Sequence, residues 1–397
     1  MPTKRDELDE VATEPVQPGT MTGHLLTLNV GSSSVKFALF ERHGDLTVPQ
    51  LSGRVELADM GDGGGAGTLT HEQALAQIMK RVGSARVEGV GHRIVHGGVT
   101  YTQPVRVDAT VLEDLTRLEA LAPLHQPHNL AGVRAAMAAF QGVPQVACFD
   151  TAFHTTQPAV NQRFALPLAL HDAGVRRYGF HGLSYESIMA QLVQQDPVLA
   201  RSRVVVAHLG NGASLCAIHQ GCPIATTMSF SPLDGLTMGT RCGQLDAAVV
   251  LYLLQVHGMT VDQITQLLYR ESGLLGLSGL SADMRVLEAS NLPAAADAIT
   301  HFVEQVVQGL GRMVAAMRGI DALVFTGGIG ENAVAVRARI MAGSAWLGLL
   351  PDGAANQAGK RCISAPASPI SAWVFKTNEE SSIARHTLRI MLQTGPK

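Results

Sequence analysis

The chain has 397 residues, 46% hydrophobic and 16% charged, more than one core organises and suited to two well-packed domains. A net charge of −3 provides no global field for nucleic acid or an anionic membrane, so any anion recognition must be local. The five cysteines (Cys148, Cys216, Cys222, Cys242 and Cys362) include no C-x-x-C pair, which argues against a disulfide framework or zinc ribbon and suits a reducing compartment.

Residues 1–23 are acidic and Pro-containing, lack the apolar core of a signal peptide, and read as a flexible extension. No apolar run reaches membrane-spanning length, so a cytoplasmic location is expected. An apolar strand is expected over 24–30, a small-residue turn over 31–34 and a returning strand over 35–40. Residues 60–70 form a glycine-rich loop, after which Ala/Leu helical patterns alternate with short strands such as 143–149. The hairpin pattern recurs as strand 204–209, turn 210–213 and strand 214–218, and aligning Gly31 with Gly210 brings the two into step. That repeat predicts two related α/β halves. A third glycine turn, 326–332, follows strand 322–325 and precedes a helix-like run.

Turns of Gly, Ser and Asn let backbone N–H groups converge on an anion because no Cβ blocks the approach. Ser32 and Ser34 add hydroxyls in the first hairpin, and Lys36 adds a cation two residues on. Any one such turn is equally well an ordinary hairpin turn. Three in one chain suit a polyphosphate. Neither a Walker G-x-x-x-x-G-K-[ST] nor a Rossmann glycine fingerprint is present.

Phosphoryl transfer needs cations around the equatorial oxygens, a divalent metal and a group that orients the acceptor. Arg93 in G-H-R-I-V-H-G-G, His181 in R-R-Y-G-F-H-G and Arg241 in M-G-T-R-C-G are each flanked by glycine, as where backbone passes close to a ligand. A buried arginine is costly unless an anion pairs with it. Asp150 ends an apolar strand in C-F-D-T-A-F-H, where α/β enzymes present functional groups, and Glu379 in T-N-E-E is a hard oxygen donor suited to Mg²⁺. His92 and His96 are four apart, but adjacent glycines disfavour a helix and no H-E-x-x-H is present, so no transition-metal site is expected. Among the histidines, His181 and His125 stand out. Cys242 reads as a small buried apolar residue, and Asp321 and Asp283 as caps or surface carboxylates, with a nucleotide-side role open for 283–285.

The motifs L-N-V-G-S-S-S-V-K-F, G-H-R-I-V-H-G-G, C-F-D-T-A-F-H, R-R-Y-G-F-H-G, H-L-G-N-G-A-S, M-G-T-R-C-G, T-G-G-I-G-E-N and T-N-E-E occur in this order, and the chain resembles the acetokinase family over residues 24–390. The resemblance implies an α/β fold of two related ribonuclease-H-like domains, the duplicated fold of the actin-like ATPases. They would comprise residues 24–151 plus 380–397 and residues 152–379, with substrate between them and usually a homodimer. It implies transfer of the ATP γ-phosphoryl to acetate, with Mg²⁺ (or Mn²⁺) at Asn29 and Glu379. Ser32, Ser34, Lys36, His208, Leu209, Gly210, Asn211 and Gly212 would meet the ATP phosphates. Asp283, Met284 and Arg285, with Gly328, Ile329, Gly330, Glu331 and Asn332, would hold the nucleotide. Arg93 would hold the acceptor carboxylate, Asp150 would be the essential acid, and His181 and Arg241 would stabilise the transition state. Val95, Leu124, His125, Phe180 and Pro232 would form a small acyl pocket.

The sequence departs from the family pattern beside these groups. The 29–93 segment is shorter than usual, Leu183 and Tyr185 replace the usual threonine and histidine after F-H-G, Gln126 and His128 alter the loop after His125, and Ala247 stands where proline often follows the aspartate. A carboxylate acceptor is ionised at pH 7, so no general base is required and Asp150 reads as an orienting group. The rival readings are a propionate or butyrate kinase on the same fold, a nucleotide-driven chaperone-like ATPase, for which no length remains for a peptide-binding module, and an inactive nucleotide sensor.

Overall fold

The apolar run at the start of the ordered chain becomes β1 (His24–Val30), buried along its whole length because strands flank it on both edges and helices cover both faces. The computed structural model describes residues 23–31, 34–57 and 69–393; Ser32, most of the glycine-rich loop and nearly all of the N-terminal extension lie outside them. The chain divides into two units, residues 1–152 with 378–397 and residues 153–377. The second boundary therefore falls ahead of the expected one, so that Asn378 and Glu379 go with the first unit.

In the first unit, β2 (Ser34–Glu41) and β3 (Leu51–Glu56) extend β1 on one side as an antiparallel meander. β4 (Val87–Ile94) lies parallel to β1 on the other side; β5 (Val105–Arg106) is an antiparallel edge strand, and β6 (Gln145–Phe149) is parallel to β4. The order is β3-β2-β1-β4-β6-β5. Leu26, Leu28 and Val30 pack with Ala74, Leu75 and Ile78 of the helix His71–Val82 and Ala135 and Ala136 of the helix Gln126–Ala139. The first of these helices starts at a capping box between Thr70 and Gln73. The alternate residues of β1 and β4 meet the C-terminal helix Glu379–Gln393.

The second unit repeats the plan with β7 (Arg203–Leu209), β8 (Ala213–His219), β9 (Cys222–Thr226), β10 (Ala322–Thr326) and β11 (Ser371–Val374) in the order β11-β10-β7-β8-β9. Again a hairpin and a third antiparallel strand are followed by two strands parallel to the first. The helix Gly182–Gln195 packs on one face, through Tyr185, Ile188 and Leu192 against Val204, Val206, Cys216 and Ile218; the long helix Pro293–Met317 contacts β7, β8 and β9. The predicted alignment of Gly31 with Gly210 holds along the incoming strand and slips on the returning one. Val30 pairs with Val35 across residues 31–34, whereas Leu209 pairs with Ala213 across 210–212. The first turn is one residue longer. Consequently the residue equivalent to Asn29 is His208, and Lys36 corresponds to Ser214. The third glycine segment, expected as a turn, is a short helix, Gly327–Asn332, entered directly from β10.

No helix among the described residues is long and apolar enough to cross a membrane.

Two features of β4 carry tests. A Cβ on Gly91 would lie 2.2 Å from Thr387 Oγ1 and 2.5 Å from Ile383 Cγ2, so only glycine lets the C-terminal helix approach this closely. Gly91→Ala is expected to destabilise the first unit by about 1–3 kcal/mol, measured by urea unfolding. On the other face His92 is buried, its Nε2 2.8 Å from Gln145 Oε1, and burial lowers its pKa from 6.5 to about 4. The folded protein thus keeps this ring neutral while the unfolded chain takes up a proton, and stability is lost as pH falls from 6.5 towards 4. His92 should account for a loss of about 2 kcal/mol between pH 7 and pH 5, and His92→Gln should flatten that part of the curve.

Candidate active site

In the first unit the side chains predicted for the site stand at the C-terminal ends of the parallel strands. Leu28 pairs with His92 and Arg93 with Cys148, so Asn29, Arg93 and, two residues beyond Cys148, Asp150 share one face of the sheet. It is the face on which Gly89 and Gly91 admit the helix Glu379–Gln393, whose first residue reaches the same strand ends. Arg93 Nη2 donates to Asp150 Oδ2 at 2.6 Å, and Nε lies 3.1 and 3.3 Å from the two carboxylate oxygens. Arg93 Nη1 donates to Asn29 Oδ1 at 3.3 Å, while Asn29 Nδ2 donates to Glu379 Oε2 at 3.0 Å. Asp150 is 1% exposed and the Arg93 side chain 18%, so the carboxylate is sealed in while a small part of the Arg93 side chain stays accessible.

Burial works against the Arg93 charge, but Asp150, Glu379 and Glu380 outweigh it and hold its pKa above the ordinary arginine value. Burial first, and then neighbouring Glu379, raise the pKa of Glu380; Lys36 and Arg93 pull the other way. Lys36 is exposed and pairs with Asn29 in the β1–β2 register. The Asn29 side-chain carbonyl oxygen and the Glu379 carboxylate are hard oxygen donors held side by side, a pair of the type that would hold a divalent cation.

Behind this group lies a residue that sequence reasoning missed. Asn129, buried in the helix Gln126–Ala139, donates from Nδ2 to Val30 O at 2.6 Å and accepts from Val95 N at 2.9 Å. It thereby ties the ends of β1 and β4 together. Gln126, noted only as a departure, clamps His96 in the same way, accepting from its N–H at 3.2 Å and donating to its carbonyl at 3.0 Å. Val95 is buried, and Leu124 and His125 are half-buried.

In the second unit His181 and Arg241 converge on Gly212. A Cβ there would lie 3.1 Å from His181 Nε2 and 3.0 Å from Arg241 Nη2, so this glycine leaves room for both. His181 has φ 59°, an uncommon conformation for a non-glycine residue, at the entrance to the helix Gly182–Gln195. Its ring stacks on His208 with centroids 4.2 Å apart, and its Nδ1 is 2.8 Å from Ser214 Oγ. His208 Nδ1 is 2.8 Å from Ser184 Oγ. Arg241 Nη1 donates to Pro232 O at 2.6 Å, and the carbonyl of Phe180, a buried residue, lies 2.9 Å from His154 Nε2.

The remaining predicted nucleotide residues divide between surface and packing. Gly327 has φ 77°, and its N–H donates to Glu331 Oε1 at 3.0 Å, as does the N–H of Thr377 at 3.1 Å, so the Glu331 side chain closes its own loop. Asn332 Nδ2 donates to Gly328 O at 2.8 Å. Buried Arg337, which the sequence analysis did not single out, donates from Nη1 to the carbonyls of Gly330 and Glu331 at 3.0 and 2.7 Å, and from Nε to Asn356 Oδ1 at 2.8 Å. Asp283 caps the helix Met284–Glu288 and pairs with Arg285, whose hydrogen bond lowers the Asp283 pKa. The Met284 side chain is buried, so it belongs to the packing of that helix. The 283 segment still approaches the 208–212 turn, because Ala282 lies against Gly239 and Gly239 donates its N–H to Asn211 O. Cys242 is half-buried rather than fully buried, and burial raises its thiol pKa, which keeps it protonated and unreactive.

The Acetokinase family profile matches residues 24–385. An acetate kinase from Methylocella silvestris is 49% identical over 400 residues, spanning 94% of this chain and 99% of that protein. One from Rhodopseudomonas palustris is 48% identical over 394 residues, with 93% and 99% covered. The crystal structure of Porphyromonas gingivalis acetate kinase has a TM-score of 0.81 at 34% identity, covering 93% of this chain and 100% of that one. A propionate kinase from Francisella tularensis has a TM-score of 0.83 at the same identity and coverage. With the profile matched along most of its length and relatives nearly half identical over almost their whole length, the chain belongs to the acetokinase family.

Proposed function

We propose that this chain catalyses reversible, direct in-line transfer of the γ-phosphoryl group of ATP to the carboxylate of acetate, giving acetyl phosphate and ADP. Family membership supports the reaction class, and the observation that carries the residue roles is Arg93, locked by buried Asp150 with its side chain still partly accessible. The acceptor carboxylate is already ionised at pH 7, so no group has to remove a proton from it. Arg93 receives it, and Asp150 orients Arg93. The 208–212 segment, with Lys36 and Ser34, meets the phosphates, and the segments 283–285 and 328–332 hold the rest of the nucleotide. His181 and Arg241 offset the charge on the moving phosphoryl group and the repulsion between two anionic reactants. Asn29 and Glu379 would hold Mg²⁺, or Mn²⁺, which supplies charge neutralisation at the phosphate oxygens when bound.

We assign Val95, Leu124, His125, Phe180 and Pro232 to a small acyl pocket. The likeness to a propionate kinase favours a second reading, in which the three-carbon acid is also used. We further assign a homodimer. The helix Ala247–Gln255 buries none of its residues, with Leu251 54% and Tyr252 52% exposed, and neighbouring Val256 is 65% exposed. Such a contiguous apolar surface is of the kind that another protein covers. Dependence on ATP goes with a cytoplasmic location.

Trapping acyl phosphate as the hydroxamate, with ATP–Mg²⁺ and a panel of short acids, tests the reaction. Arg241→Ala should lower kcat by about 10²–10³-fold with the circular dichroism spectrum unchanged; a folded, fully active variant overturns the role given to Arg241. The specificity constant should fall from acetate to propionate to butyrate, by about 1–3 kcal/mol per methylene; a higher value for butyrate removes the small-pocket assignment.

A further inference from the structure

Ser214 sits between two partners. Its Oγ lies 2.8 Å from His181 Nδ1 and is also hydrogen-bonded to the hydroxyl of Tyr185, one turn further along the helix Gly182–Gln195. Tyr185 and Ser214 are both fully buried, and the Tyr185 ring packs in the core formed with Ile188, Val204 and Cys216. Ser214 has one proton to give. A phenol is a stronger acid than an aliphatic alcohol and a poorer acceptor, and an imidazole nitrogen is a stronger acceptor than either. The favoured chain of bonds therefore runs from Tyr185 O–H to Ser214 Oγ, and from Ser214 O–H to His181 Nδ1. With Nδ1 occupied as an acceptor, the proton of a neutral ring resides on Nε2.

We propose that Tyr185, acting through Ser214, is a positioning residue that holds His181 in its neutral Nε2–H tautomer, so that the ring donates a hydrogen bond to a phosphoryl oxygen without first being protonated. The inference rests on the reading of His181 as a group that meets the transferred phosphoryl. The surroundings give the device its reason. His181 Nε2 and Arg241 Nη2 both stand against Gly212, and the His208 ring stacks on the other side. A guanidinium this close disfavours a second positive charge on the imidazole. A neutral ring with its proton on Nδ1 would turn a lone pair towards the phosphoryl oxygen and repel it.

The test combines a spectroscopic measurement on the unaltered protein with kinetics of Tyr185→Phe, which keeps the buried ring and removes only the hydroxyl. Nitrogen-15 NMR of histidine-labelled protein at pH 8 should show His181 with a protonated Nε2 and an unprotonated Nδ1. In Tyr185→Phe the proton should redistribute towards Nδ1. The variant's kcat at pH 8 should fall about tenfold, the effect of roughly one hydrogen bond, with KM for ATP and acid unchanged. The deficit should shrink once the pH is low enough to protonate the ring, which then donates from both nitrogens. A wild-type ring protonated on Nδ1, or a variant whose pH profile runs parallel to wild type, overturns the relay. His181→Ala separates the two levels. If it keeps wild-type kcat, the role given to His181 itself fails. If it loses activity while the wild-type ring carries its proton on Nδ1, only the relay fails.

Discussion

The ion pair between Arg93 and Asp150 is the interaction around which the strand ends of the first unit are arranged. A guanidinium on the covered face of a sheet is stable only when its charge is met, and Asp150, 1% exposed, meets it through both Nε and Nη2. Everything around the pair serves its placement. Gly89 and Gly91 precede Arg93 on the same face of β4 and leave space for the C-terminal helix, and that helix delivers Glu379 to Asn29. Asn129 pins the two strand ends from behind. The guanidinium is thus held by its neighbours before any ligand arrives, which is what preorganised electrostatic stabilisation requires.

The second unit builds the equivalent strand end from different groups. His208 occupies the strand position that Asn29 occupies in the first unit, and in both units the N-terminal end of a helix lying on that face reaches the strand end. In the first unit the contact is to a carboxylate; in the second it is to the hydroxyl of Ser184. One topology, used twice, therefore presents hard oxygen donors in one copy and a pair of stacked imidazoles in the other. The difference resides in a few side chains at the strand ends, not in the sheets.

Much of this was legible in the sequence, for identifiable reasons. A strand buried on both faces is largely apolar, so β1, β6, β7 and β10 announce themselves as short runs rich in apolar residues. Glycines at turns and beside charged residues mark close backbone approach, which is how Arg93, His181 and Arg241 stood out. The repeat was visible too, although the extra residue in the first turn put the returning strands out of step. The segment 327–332 read as a turn because glycine disfavours helix; Glu331, accepting from the Gly327 N–H, stabilises the helical form.

Other features were decided only when the chain folded. Asn29 and Glu379 are 350 residues apart, and no local pattern records that they are bonded. Asn129, Gln126 and Arg337 are ordinary polar residues in helical sequence; their importance comes from the particular backbone groups that burial obliges them to satisfy. Tyr185 appeared in the sequence only as a departure from a pattern, and its partner Ser214 lies on β8, reached after a short helical turn and β7. By itself the sequence determined the strands, the glycine turns and the charged residues beside them, because those follow from local sterics and from the burial of apolar runs. Tertiary structure alone decided which polar atoms meet, because a hydrogen bond depends on distance and direction in space, and the order of residues along the chain sets neither.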